Sequence, residues 1–216
     1  MATTAAATST ARTTAAVRPI HPLWMRVSHW LNAFAVLVLV ASGWRVYNAA
    51  PFFDFTFPAQ LTLGGWLGGA LQWHFAAMWL LVANGVVYLG MNLLTGRIFK
   101  RFFPLSPRAV LHDALAALRG RLSHADPRQY NAVQRLAYLF VMVDLVVIVL
   151  SGLVLWKSVQ FHHLRELLGG YDLARRIHFF GMALLVAFIV VHLVMVALVP
   201  RSLLAMLSRR GGESAA

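Results

Sequence analysis

Four histidines carry the chemistry this chain can be read for: His29, His74, His178 and His192. Imidazole nitrogens ligate transition metals, and a buried imidazole also relays protons. His178 and His192 stand fourteen residues apart in an apolar run that extends to Pro200. On a helix that spacing nearly closes four turns, leaving the rings about 40° apart in direction and about 21 Å apart in height. One helix would therefore present two imidazoles on one face, near opposite surfaces of a bilayer. Two haems stacked across a membrane would need such a spacing, with a second imidazole for each at the same depth. The elements that must position these side chains decide whether the other two histidines supply it.

The 216 residues are 60% hydrophobic and 12% charged. So little polar surface cannot cover so much apolar surface in water, which makes the class a membrane protein, and the four long spans below make it an all-α membrane protein. There are no cysteines. Disulfides, thiolate metal sites, iron–sulfur ligation by this chain and covalent haem attachment through Cys-x-x-Cys-His are excluded. The net charge of +12 follows from membrane topology and does not imply a nucleic-acid partner.

Four segments are long enough to span about 20 residues of hydrocarbon: about 27–47, 73–94, 136–156 and 177–199. No charge lies between Asp54 and Arg97, and Gly64, Gly65, Gly68 and Gly69 mark a break or a close helix contact before the second span. Residues 1–20, rich in Ala and Thr, read as a disordered cytoplasmic tail, 21–202 as the membrane domain and 203–216 as a second tail. Ser106-Pro107 followed by Leu111, Leu115, Leu118 and Leu122 reads as an amphipathic helix over about 107–122 on the inner membrane surface. With the N-terminus inside, fourteen of the nineteen Lys and Arg residues fall on the cytoplasmic side; Arg45, Lys157, Arg165, Arg175 and Arg176 fall outside. The expectation is a four-transmembrane-helix bundle, multi-pass in a bacterial inner membrane, with both termini cytoplasmic.

Sorting by depth then pairs His74 with His178 near the outer surface and His29 with His192 near the inner one. Crossed pairs would have to bridge roughly 20 Å, far beyond the reach of one iron. A di-metal site is disfavoured because no Asp or Glu accompanies either pair. A haem-free protein with a histidine proton relay is the alternative drawn from the same residues.

The sequence resembles the bacterial di-haem cytochromes b that anchor nickel–iron hydrogenases, formate dehydrogenases (their gamma subunit) and related periplasmic molybdenum oxidoreductases. The resemblance covers roughly His21 to Arg210. It rests on Pro22-Leu-Trp-Met-Arg-Val-Ser-His29-Trp-Leu-Asn, His74 opening the second span, Tyr130-Asn-Ala-Val-Gln134 before the third, and His178 and His192 in the fourth. It implies two haem b groups with His29, His74, His178 and His192 as axial ligands to the haem iron. It further implies a periplasmic molybdenum oxidoreductase or hydrogenase-like partner at the outer haem, and exchange with quinone at the inner one. Asn131, with Gln134 as the weaker candidate, is the residue it suggests for quinone; Asn131 equally suits a helix cap.

The expected function is electron transfer between that partner and the quinone pool, as a subunit of an oxidoreductase complex rather than an enzyme alone. A stand-alone superoxide:quinone oxidoreductase of the related small four-helix cytochromes is an alternative, with Lys157, Arg165, Arg175 and Arg176 steering the anion. The sequence leaves the direction of flow, the quinone type and assembly as a homodimer open. Arg26, Arg45, Arg135, Arg175 and Arg176 sit where haem propionates would emerge, or where lipid headgroups would. Asp144 is the only acidic residue inside a span, a candidate proton relay or a partner to Arg or His. Gly43, Gly85, Gly152 and Gly181 either make room for porphyrin or pack helices closely.

Overall fold

A computed structural model describes residues 22–96, 106–118 and 132–207. Among them the regular secondary structure is all helical, with four helices long and apolar enough to cross a membrane. These are α1 (Leu23–Ala49), α2 (Leu67–Leu94), α4 (Ala132–Trp156) and α6 (Tyr171–Leu198). Three shorter α-helices, α3 (Pro107–Leu118), α5 (His162–Leu167) and α7 (Pro200–Leu207), and one 3-10 turn (Ala59–Leu61) accompany them among the described residues. The long helices run alternately up and down, so one end of the bundle carries the starts of α1 and α4 and the end of α6. The opposite end carries the loop after α1 and the starts of α2 and α6. We call these the terminal end and the aromatic end.

Local chemistry sets the boundaries. Pro22 is extended and opens α1, accepting from the Met25 N–H at 3.1 Å. Beyond α1 the chain doubles back, and the Asn48 side chain holds the Phe57 backbone through both its N–H and its carbonyl, at 2.9 and 2.8 Å. The glycine-rich stretch resolves as a break. Gly64 and Gly65 adopt positive φ (+105° and +69°), a region that favours glycine, and α2 starts two residues later. A Cβ on Gly64 would collide with the Ala70 backbone. Ahead of α6, Gly169 and Gly170 also take positive φ, and Asp172 in the first turn suits the positive end of the helix dipole.

Each long helix therefore begins four to six residues before the apolar run that marks it in the sequence. A helix continues through polar residues at the interface, whereas hydropathy registers only the part immersed in hydrocarbon. α3 begins at Pro107 as its Ser-Pro start requires, with Leu111 and Leu115 exposed as an apolar face; 119–122 lie outside the described residues. Asp113 on α3 accepts the Ala132 N–H at 2.9 Å, so the start of α4 is capped from a neighbouring helix. The stretch from Pro200 to Leu207 is helical, and Arg26 donates to the carbonyls of Met206 and Leu207. That closes the last turn of α7 with a cation at its negative end.

α1 packs against α2 and α4 against α6. The two pairs meet in a central apolar layer built from Ala35, Val36, Leu81 and Leu185, with Leu39, Leu145, Ile148 and Ile189 packed on it. Leu185 lies seven residues from each of His178 and His192, midway between them. The apolar layer thus separates the two histidine levels.

Candidate histidine pairs at two levels of the bundle

The fold brings the four histidines together in two pairs. His29 on α1 and His192 on α6 face each other at the terminal end, ring centroids 6.1 Å apart and planes at 63°. His74 on α2 and His178 on α6 do so at the aromatic end, at 6.3 Å and 60°. These are the depth-matched combinations; the crossed ones are separated by the length of α6 between its two histidines. Metal–imidazole bonds of about 2 Å on either side of one metal put the two ring centroids roughly 6 Å apart. Both pairs meet that requirement without movement of the helices. Among the described residues no group of three or more His, Asp or Glu converges as a metal site; each pair instead offers two facing imidazoles, a donor set that fits the two axial positions of a haem iron.

The aromatic-end pair is held by hydrogen bonds. Nδ1 of His178 lies 2.9 Å from the Ile148 carbonyl oxygen. A carbonyl only accepts, so Nδ1 carries the proton and Nε2 keeps its lone pair free. The Ser151 hydroxyl sits 3.2 Å from the same Nδ1 and donates to the Val147 carbonyl at 2.7 Å. With its hydrogen committed there, its oxygen accepts from the imidazole. His74 repeats this arrangement, with Ser42 Oγ 3.0 Å from Nδ1 and donating to the Val38 carbonyl at 2.6 Å. The following residue is glycine in both helices. A Cβ on Gly43 would lie 3.4 Å from His74 Cε1, and one on Gly152 would lie 3.1 Å from His178 Cε1. Those glycines let the imidazoles lie on the helix backbone.

The terminal-end pair is held by packing. His29 meets Trp30 edge-on at 5.4 Å, and Phe188 stacks on His192 at 5.9 Å. Among the described residues neither ring has a hydrogen-bond partner. α1 is fixed to α2 beside His29 by Asn84, whose amide donates to the Ser28 carbonyl at 2.8 Å and to Asn32 Oδ1 at 2.7 Å. Two buried donors lack a protein partner among the described residues, and each adjoins one level: Ser28 Oγ, next to His29, and Trp44 Nε1, next to Gly43. Donors orphaned in an apolar interior are expected to have an acceptor, and haem carboxylates are acceptors.

Other candidates resolve individually. Asn131 lies outside the described residues, as do His21 and His124. Gln134 stands exposed on the first turn of α4 at the terminal end. Arg26 is engaged with α7, while Arg175 donates to the Ala50 carbonyl and lies over the Phe52 ring at 4.8 Å. Arg176 covers the same ring at 5.6 Å. Phe52, Phe53, Phe55, Phe57, Tyr47 and Phe179 form one aromatic cluster above the His74 level. His162 and His163 stack on each other at 3.8 Å in the loop helix α5.

Asp144 is buried, its Oδ2 unpartnered among the described residues. A Cβ on Gly181 would sit 3.3 Å from its Oδ1 and 2.7 Å from Ile148 Cγ1, so Gly181 serves close packing of α4 on α6. A Cβ on Gly85 would meet nothing within 4 Å. Ser42, Ser151 and Asn84 escape a reading based on histidine depth. For the two serines the signal in the sequence is a Ser-Gly dipeptide in the first and third spans, each ahead of a span that opens with a histidine.

Known proteins agree with this architecture. The chain is 66% identical over 188 residues, 87% of its length and 95% of the relative's, to YedZ1 of Azospira oryzae, provisionally named a protein-methionine-sulfoxide reductase subunit. Residues 20–209 match the family described as prokaryotic cytochrome b561. A bundle of four long apolar helices accords with that match, and the chain belongs to the prokaryotic cytochrome b561 family.

Proposed function

We propose that this haem b cytochrome carries two haems and passes electrons through a bacterial inner membrane between the quinone pool and a periplasmic oxidoreductase. One observation carries the reading: two imidazole pairs, at 6.1 and 6.3 Å, share the single helix α6 and lie at two levels of the bundle. His29 and His192 would hold one haem, His74 and His178 the other, and the haem iron supplies reversible one-electron chemistry. The protein fixes the two levels about 21 Å apart along α6, fourteen residues at 1.5 Å each. It fills the space between them with Leu185, Leu81, Ala35 and Val36, which excludes water from the path.

Both termini are cytoplasmic in this reading, which makes the terminal end inner and the aromatic end outer. An apolar groove of about 420 Å³, lined by Leu23, Arg26, Val27, Trp30, Leu31, Met206 and Leu207, opens at the terminal end. Trp30 joins that groove to His29, which supports quinone exchange at this level; Gln134 is a further candidate at the same end, and Asn131 remains the candidate that the sequence suggests. The Azospira relative's name points to a partner that reduces protein methionine sulfoxide, here taken as a periplasmic molybdenum oxidoreductase. A sulfoxide reductase consumes two electrons and two protons per turnover, so electrons flow outward, from quinol to the partner. A hydrogenase partner would require the reverse.

Proteoliposomes containing the purified cytochrome and its co-purifying periplasmic partner test the proposal. Quinol is expected to reduce the cytochrome, and methionine sulfoxide added with the partner is expected to reoxidise it. Reoxidation that does not depend on the partner, or reduction of quinone by superoxide with the chain alone, would defeat the reading.

A further inference from the structure

The two histidine levels differ in one respect that the pairing does not explain. At the aromatic end each imidazole donates from Nδ1 to acceptors on a neighbouring helix: Ser42 Oγ for His74, Ser151 Oγ and the Ile148 carbonyl for His178. Each serine stands one residue before the glycine that the ring lies on. The device occurs twice, once on α1 for α2 and once on α4 for α6. At the terminal end, among the described residues, His29 and His192 have aromatic neighbours and no acceptor on either ring.

An acceptor on the distal nitrogen of a metal-bound imidazole fixes the tautomer and raises the basicity of the ligating nitrogen. A more basic ligand stabilises the ferric over the ferrous state, and hydrogen bonding to the ligand is one of the few means a protein has of setting a haem potential. The levels also differ in burial, His74 and His178 lying deeper in the bundle than His29 and His192, so only variants that leave burial unchanged isolate the hydrogen bonds.

We infer that Ser42-Gly43 and Ser151-Gly152 are matched seats for His74 and His178, and that Ser42 and Ser151 are positioning residues that set the outer haem at a lower potential than the inner. This rests on the di-haem reading. Electrons leaving toward the partner would therefore pass uphill to the outer level and be drawn off by the acceptor. The outer level would equilibrate with the partner rather than trap electrons.

The test is a spectroscopic redox titration of the full-length, haem-loaded protein in detergent. Wild type is compared with Ser151→Ala, Ser42→Ala/Ser151→Ala and Ser151→Thr, with haem content measured in each. Wild type should titrate as two components, and the lower one should rise in Ser151→Ala and rise further in the double variant. Ser151→Thr, which keeps the hydroxyl, should return it toward wild type, and the higher component should stay fixed throughout. If the double variant loses one haem while Ser151→Thr retains both, the seats are confirmed as holding the ligands. Unchanged potentials with full haem content, a shift confined to the higher component, or equal losses from the Ala and Thr variants would overturn the inference. Fewer than two haems in wild type would instead defeat the di-haem reading beneath it.

Discussion

His29 and His192 come from opposite ends of the chain, yet their imidazole rings face each other at 6.1 Å across the terminal end of the bundle. Replacing His192 removes one side of this pair and leaves the His74–His178 pair intact. His192→Ala is expected to fold, keep the haem at the aromatic end and lose the other. Haem content and the reduced alpha band should fall to about half of wild type, since each iron needs both axial imidazoles. Complete loss of haem would show that the two sites do not assemble independently.

The glycine seats predict a pair of unequal substitutions. In Gly152→Ala the new Cβ lies 3.1 Å from His178 Cε1, so the imidazole must shift, at a cost of about 1–3 kcal/mol for overpacking. Haem retention and thermal stability should both decline. Gly85→Ala adds a methyl with nothing within 4 Å and removes a flexible residue from a helix interior, so it should be neutral or slightly stabilising. Thermal melts followed at the Soret band would separate the two.

Asn84 ties α2 to α1 beside His29 through two hydrogen bonds. Interhelical hydrogen bonds in membranes average about 0.6 kcal/mol and reach about 1.7 kcal/mol. Asn84→Leu should lower the unfolding free energy by about 1 kcal/mol and loosen the terminal-end pair before the aromatic-end one. A redox titration that broadens in both components equally would contradict that placement.

The chain contains no cysteine, so single cysteines report topology cleanly. A cysteine at Val159, exposed in the loop between α4 and α5, should react with an impermeant maleimide added from the periplasmic side. One at Ser214 should react only after the membrane is opened. The opposite pattern would invert the proposed orientation and the direction of electron flow.

The long helices and their order are legible because twenty apolar residues have few other uses, and the histidine pairing follows from topology plus a fixed rise per residue. The ends of the helices are less legible. Hydropathy ends at the interface, and Tyr171 to Arg176 continue α6 beyond it as an amphipathic turn. Ser42 and Ser151 are hidden for a different reason: a serine bonded to its own helix looks the same in sequence whether or not a histidine leans on it from another. Asn84 has the same ambiguity. Arg26, placed by its charge near a lipid surface or a propionate, instead closes α7, a contact between distant parts of the chain that no local pattern announces.

The central claim is two haems held by four named histidines, and haem quantification tests it most directly. Pyridine haemochrome analysis per mole of purified chain, on wild type and the four single His→Ala variants of His29, His74, His178 and His192, should give two haem b in wild type and no more than one in each variant. One haem or none in the wild type despite ample haem supply, or an unchanged content in any of the four variants, would contradict it.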